Sequence, residues 1–238
     1  MRAADVVESV RTQLAPVRER MRTHPYLQAV EERRLNPAQL RPFVCEQFLI
    51  LSSDLRSMAQ MVSRFGGDGH VEFFLDLLGG ERAALETLPM LATAFDLDTP
   101  DLLQYEPLPG AQAYSAYTAW LAAYASDAEV AAAFAVNFQG WSEACARLGR
   151  ALRGSYSLST NQASFFDLFA EPNQDFEARA FQVIEAGLQR GVPERLVRRA
   201  PRMLQGYEAM FWDTLYETLG PTSAPPPAAP GEDADLAE

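Results

Sequence analysis

The chain has 238 residues, with 20 Lys plus Arg against 32 Asp plus Glu for a formal charge of −12, and is 48% hydrophobic and 22% charged. That apolar share is enough for a packed core and excludes disorder throughout, while the acidity disfavours nonspecific binding to a phosphate backbone, which needs a basic surface. Apolar runs such as residues 48–51 fall far short of the roughly 18 needed to cross a bilayer, and acids at Asp5 and Glu8 interrupt any secretory leader, so a soluble cytoplasmic protein with no membrane or nucleic-acid partner is expected.

Helical spacing dominates residues 1–220, and β-branched runs with period-two alternation are nearly absent, which predicts an all-α protein. A first helix over residues 4–22, bent at Pro16, gives way at Thr23-His24-Pro25 to a short helix over 26–33. Asn36-Pro37 reads as an N-cap with proline at the first helical position, opening a long helix that ends at Phe65-Gly66-Gly67, with Pro42 delaying or kinking its start. Residues 70–78 and 81–95 are expected as two helices separated by Gly79-Gly80, and Thr99-Pro100 opens a short one. After a break at residues 107–110, helices are predicted over 111–124, 127–153, 175–190 and about 193–219, the last disturbed at Pro201. This amounts to a globular array of about eight substantial helices rather than a four-helix bundle. Residues 221–238 hold five prolines and four acids with one large apolar side chain, Leu236, and are expected to form a disordered acidic tail.

The two cysteines, Cys45 and Cys145, offer no metal-ligand spacing and read as buried free thiols. The two histidines, His24 and His70, are too few for a di-iron centre; His24 before Pro25 reads as a residue that caps or packs, and His70 as a solvent-side residue near a helix start. No metal or cofactor is expected.

Polar groups within apolar stretches mark candidate site residues. In the long third helix, Phe43, Val44, Phe48, Leu49, Ile50 and Leu51 wrap nearly the whole circumference, and Glu46 and Gln47 interrupt them. Glu46 fits an interhelical hydrogen bond or an edge position, and Gln47 a place in a pocket wall. Near the C-terminus, Glu208 shares a helical face with Leu204, Phe211, Trp212 and Leu215, so its carboxyl is either desolvated into the acid/base range or paired with an Arg. The aromatic series Tyr114, Tyr117, Trp120 is interleaved with small residues, and Asn137-Phe138-Gln139-Gly140-Trp141 suggests tight packing or a cavity wall.

Together, His24-Pro25-Tyr26, the segment from Leu40 to Phe48, Ala116-Tyr117-Thr118 and above all Tyr207-Glu208-Ala209-Met210-Phe211-Trp212-Asp213 resemble the TenA family, over about residues 10–219. That family includes thiaminase II and lies in the haem-oxygenase-like helical superfamily with the pyrroloquinoline-quinone synthase. The resemblance implies a pocket among the helices and hydrolysis of a thiamine-related aminopyrimidine or another nitrogen heterocycle, in a homo-oligomer. It makes Glu208 the catalytic acid/base and Tyr117 the pocket tyrosine, with Phe43, Ile50, Trp141 and Phe211 in the substrate wall. The family's aspartate falls on Gln47, its next tyrosine on Ile50 and its cysteine on Gln139. Gln for Asp keeps hydrogen bonding but loses charge, and Gln for Cys removes the thiol for covalent attack, so Gln47 and Gln139 suit a neutral polar heterocycle. The competing readings are a noncatalytic small-molecule-binding or regulatory homologue, a structural module whose pocket has filled, and a haem-binding protein using His24.

Overall fold

The computed structural model describes residues 2–67, 69–170 and 174–220; the acidic tail expected over 221–238 lies outside them. Among the described residues there are ten helices and no strand: α1 (Ala3–Arg22), α2 (Pro25–Glu31), α3 (Pro37–Phe65), α4 (Val71–Thr93), α5 (Thr99–Gln104), α6 (Pro109–Tyr124), α7 (Asp127–Tyr156), α8 (Ser164–Ala170), α9 (Gln174–Gln189) and α10 (Glu194–Glu217). No described helix is long and apolar enough to cross a membrane.

Local chemistry starts many of these helices. Asn36 accepts from the Gln39 backbone N–H at 3.1 Å while the Gln39 side chain accepts from the Asn36 N–H at 3.0 Å, and Pro37 fills the first position, where no N–H is needed. Asp98 with Asp101 and Ser126 with Glu129 make the same reciprocal pattern at α5 and α7. His24 caps α2, its Nδ1 accepting from the Tyr26 N–H at 3.2 Å, as its place before Pro25 suggests. The first residue before α4 is His70, also as expected.

Three elements depart from the sequence reading. The expected break at Gly79-Gly80 does not occur, and α4 runs unbroken from Val71 to Thr93. Two helical glycines cost about 1 kcal/mol each relative to Ala, but Phe73, Phe74 and Leu77 before them and Ala84, Leu88 and Leu91 after them are all buried. Leu77 and Ala84 are seven residues apart and therefore in phase, and burial of each large apolar chain, at roughly 1.5 to 3 kcal/mol, outweighs the glycine penalty. The short helix α8 was not anticipated; it exists because Phe165 and Phe166 enter the core beside Phe43. Nor is the start of α3 delayed, since the helix passes through Pro42.

The N-terminal half of α7 is enclosed on every side, with residues 127–137 all buried, and α3 and α10 flank the centre. α3 packs on α4 and α6, α10 on α6, α7 and α1, and α7 on α9, α8 and α2. Glu46, fully buried on α3, ties this layer to the α5–α6 connection: it accepts from the Tyr105 hydroxyl at 2.9 Å, from the Leu108 backbone N–H at 2.7 Å and from the Gln112 amide. Of the two placements its sequence allowed, the interhelical one holds. Cys45 and Cys145 are free and buried.

Candidate functional site

Where α3, α4, α6, α7, α8 and α10 converge they leave a chamber of about 40 Å³. Helical periodicity decides what faces it. From α3 come Gln47, Ile50, Leu51 and Asp54, spaced i, i+3, i+4, i+7; from α7 come Asn137 and Trp141, one turn apart; from α10 come Glu208 and Phe211. Glu81 of α4, Tyr114 of α6, Phe138 of α7 and Phe169 of α8 complete the wall. Beside the chamber lies a wider cleft of about 380 Å³, and the two share Glu81, Phe138, Trp141 and Phe169.

A chain of hydrogen bonds crosses three helices at one end. The Tyr114 hydroxyl donates to Asn137 Oδ1 at 2.9 Å, Asn137 Nδ2 donates to Glu208 Oε2 at 2.6 Å, and Trp212 Nε1 donates to Glu208 Oε1 at 3.4 Å. Glu208 is 3% exposed. Burial pushes its carboxyl up to about 7, and the Trp212 and Asn137 donors pull against that rise. The same carboxyl is therefore available both as acid and as base near neutrality. Tyr114 moves the other way from use as a base: burial, then the charges of Asp54, Glu208 and Glu81, raise it well above its ordinary range, so it stays a donor.

At the other end stand two more acids. Asp54 is 1% exposed and is pushed up to about 7 by burial, with Ser115 and Thr118 opposing. Those two hydroxyls favour its charged form without meeting its oxygens in good hydrogen-bonding geometry; Thr118 Oγ1 donates instead to the Tyr114 carbonyl at 3.2 Å. Glu81 is raised well above the usual carboxylate range, first by burial and then by the charge of Asp54. Among the described residues no group of three or more His, Cys, Asp or Glu is arranged to hold a metal ion.

Of the residues singled out by sequence, Glu208, Gln47, Ile50, Trp141 and Phe211 meet in the chamber. Three do not. Tyr117 lies outside it, half-buried and stacked on Trp120 at 5.5 Å and near Tyr207 at 5.3 Å; the tyrosine in the chamber is Tyr114, three residues earlier. A step of three along a helix turns the side chain by about 60°, enough to move it from the chamber wall to the outer face. Gln139 lines the wider cleft, and the α7 residue that reaches Glu208 is Asn137. Phe43 packs behind the chamber, against Trp212 at 6.2 Å and Phe166 at 5.8 Å.

Asp54 and Glu81 escaped the sequence reading as site residues, and Tyr114 and Asn137 entered it only as members of segments suggesting tight packing or a cavity wall. Asp54 was signalled, being seven positions from Gln47 on the same helix. Glu81 was hidden by the supposed glycine break, which made it the start of a helix rather than a mid-helix residue.

A sequence profile of the TENA/THI-4/PQQC family matches residues 11–218. Comparison with curated proteins gives no match. Among solved structures, the chain is similar to a TenA homologue from Pseudomonas syringae pv. tomato, with a TM-score of 0.77 at 16% identity, covering 91% of this chain and 96% of that one. It is also similar to a domain of unknown function with a heme oxygenase-like fold from Shewanella denitrificans, with a TM-score of 0.70 at 14% identity and coverage of 92% and 94%. A third is a putative TenA-like thiaminase from Sulfolobus solfataricus, with a TM-score of 0.65 at 15% identity and coverage of 89% and 96%. At these identities the likeness establishes the heme oxygenase-like fold.

Proposed function

The chain belongs to the TENA/THI-4/PQQC family, and from that premise we propose that it hydrolyses a C–N bond of a small nitrogen heterocycle related to the aminopyrimidine of thiamine, with Glu208 as acid/base. One observation carries the reading: Glu208 is buried in a chamber, fixed by Asn137 and Trp212, with its carboxyl poised at about 7. As carboxylate it takes a proton from water as the water oxygen bonds to carbon. It then returns that proton to the departing nitrogen as the C–N bond breaks, so the carboxyl ends as it began. Asn137 holds the carboxyl in place and the Tyr114 hydroxyl holds Asn137, fixing which amide atom faces Glu208.

No thiol lines the chamber: Cys45 and Cys145 are in the core, and burial, followed by the nearby Glu208 charge, raises Cys145 well above its ordinary range. Direct attack by water is therefore the route that this set of side chains favours. The same lack of a nucleophile also favours a second reading, a binding protein that holds its heterocycle without turnover. Steady-state assays on 4-amino-5-aminomethyl-2-methylpyrimidine separate the two. Turnover that falls by about 10² to 10⁴ in Glu208→Gln with an unchanged circular dichroism spectrum supports the hydrolase; binding without turnover supports the second reading. The homo-oligomer that the family suggests is tested by light scattering of the purified chain.

A further inference from the structure

The acids bordering the chamber and cleft are treated unequally by the fold. Asp76 pairs with Arg179, Glu177 with Arg11 and Glu143 with Arg18, so three of the four acids lining the wide cleft have their own guanidinium. Asp54 and Glu81, deeper in, have no basic partner among the described residues. Both oxygens of Asp54 and Oε2 of Glu81 are buried without a hydrogen-bond donor. Glu81 is common to the chamber and the cleft, which puts its carboxyl at the passage between them.

Two acids that place three oxygens out of reach of water and of any donor are costly to ionise. Placement against a cavity rather than against packed side chains gives those oxygens room for a guest. Burial holds both acids above the usual carboxylate range, so the unliganded site keeps a proton; a guest that supplies N–H donors and positive charge favours the ionised form, whose oxygens only accept, and releases that proton. The remaining wall is aromatic: Phe138, Trp141, Phe169 and Phe211 suit a flat ring, and their π-faces favour a cation further.

We propose that Asp54 and Glu81 form a subsite for an organic cation, a protonated amine or amidine carried on a flat aromatic ring, and that this subsite anchors the substrate while Glu208 acts on it. The assignment rests on the hydrolase reading only for that last clause; the subsite itself stands on the unmatched oxygens and the chamber. Its occupant enters past Glu81 from the wide cleft, leaving its existing arginine pairs intact.

The test uses the full chain and two probes of the same shape, benzamidine, which is cationic, and benzamide, which is neutral. Calorimetric titration at pH 7.5 is expected to show benzamidine binding about tenfold or more tightly than benzamide, corresponding to one charge-assisted contact. In Asp54→Asn the ratio should fall towards one, and Glu81→Gln should lower it too. Both variants keep the side-chain size and replace an acid that has no basic partner among the described residues, so neither is expected to unfold the chain; a melting curve checks this for each. Equal affinities in the wild type, no binding of either probe, or a ratio that survives the double substitution overturns the subsite. If the cation preference is absent while Glu208-dependent turnover persists, the subsite alone fails. If the preference is present without turnover on any aminopyrimidine, the hydrolase reading alone fails.

Discussion

Asn137 and Glu208, 71 residues apart in sequence, meet at 2.6 Å between α7 and α10, with the amide donating to the carboxylate. This donor stabilises the charged form of Glu208 and so holds its carboxyl lower than burial alone would. Asn137→Ala is expected to move the acid-side break in the pH profile of kcat/KM above about 7 and to lower kcat at neutral pH. A break that stays in place would remove Asn137 from control of the carboxyl.

The neighbouring tyrosines give a paired prediction. Tyr114→Phe deletes the donor to Asn137 and should cost about fivefold in kcat/KM, the rate equivalent of one hydrogen bond of about 1 kcal/mol. Tyr117→Phe removes a hydroxyl outside the chamber and should leave kcat/KM within about twofold. Reversed effects would show that the outer tyrosine reaches the substrate after all.

Stability should fall as pH rises from acid towards neutrality. Folding lifts Glu208 from 4.5 to about 7, so the folded chain holds the proton more tightly than the unfolded one. Its contribution is fully present below about 4.5, is lost as the unfolded carboxyl ionises, and levels off above about 7. Asp54 acts in the same sense from 3.8 to about 7. For Glu208 the loss is on the order of 3 kcal/mol, from about 1.4 kcal/mol per pKa unit. Urea titrations at pH 5 and pH 8 should show it, and Glu208→Gln should shrink the difference; a variant with the full wild-type slope would place the effect elsewhere.

Glu46 provides a control on structure without chemistry. Replacing it with Ala strands the Tyr105 hydroxyl, the Leu108 N–H and the Gln112 amide, and should destabilise the chain by about 3 kcal/mol. The urea midpoint should drop while the pH profile of the remaining folded protein keeps its shape.

Close helix packing makes a further prediction at Gly187 on α9. A Cβ there would lie 2.4 Å from the Ala128 Cβ of α7, a contact neither side can relieve by rotation. Gly187→Ala should therefore lower stability by about 1 to 3 kcal/mol despite the better helix propensity of Ala. A rise in melting temperature would mean that α9 can move away from α7 at little cost.

Periodicity and caps in the sequence were sufficient to specify an all-α chain, the starts of helices at Asn36, Thr99 and Asp127, the capping His24, and the inward face of α10 bearing Glu208. These depend on neighbours within a turn or two, where local backbone chemistry and the 3.6-residue repeat act directly. Only tertiary packing decided that α4 continues through Gly79-Gly80, because the burial that offsets the glycines comes from α3 and other elements distant in sequence. The same holds for the choice of Tyr114 over Tyr117 and Asn137 over Gln139, since a helix's rotation about its own axis is fixed by the partners it packs against. The meeting of Asp54 with Glu81 likewise joins two helices whose charges, in sequence, look like any pair of solvated acids; enclosure by the array is what makes them costly to bury and chemically distinct.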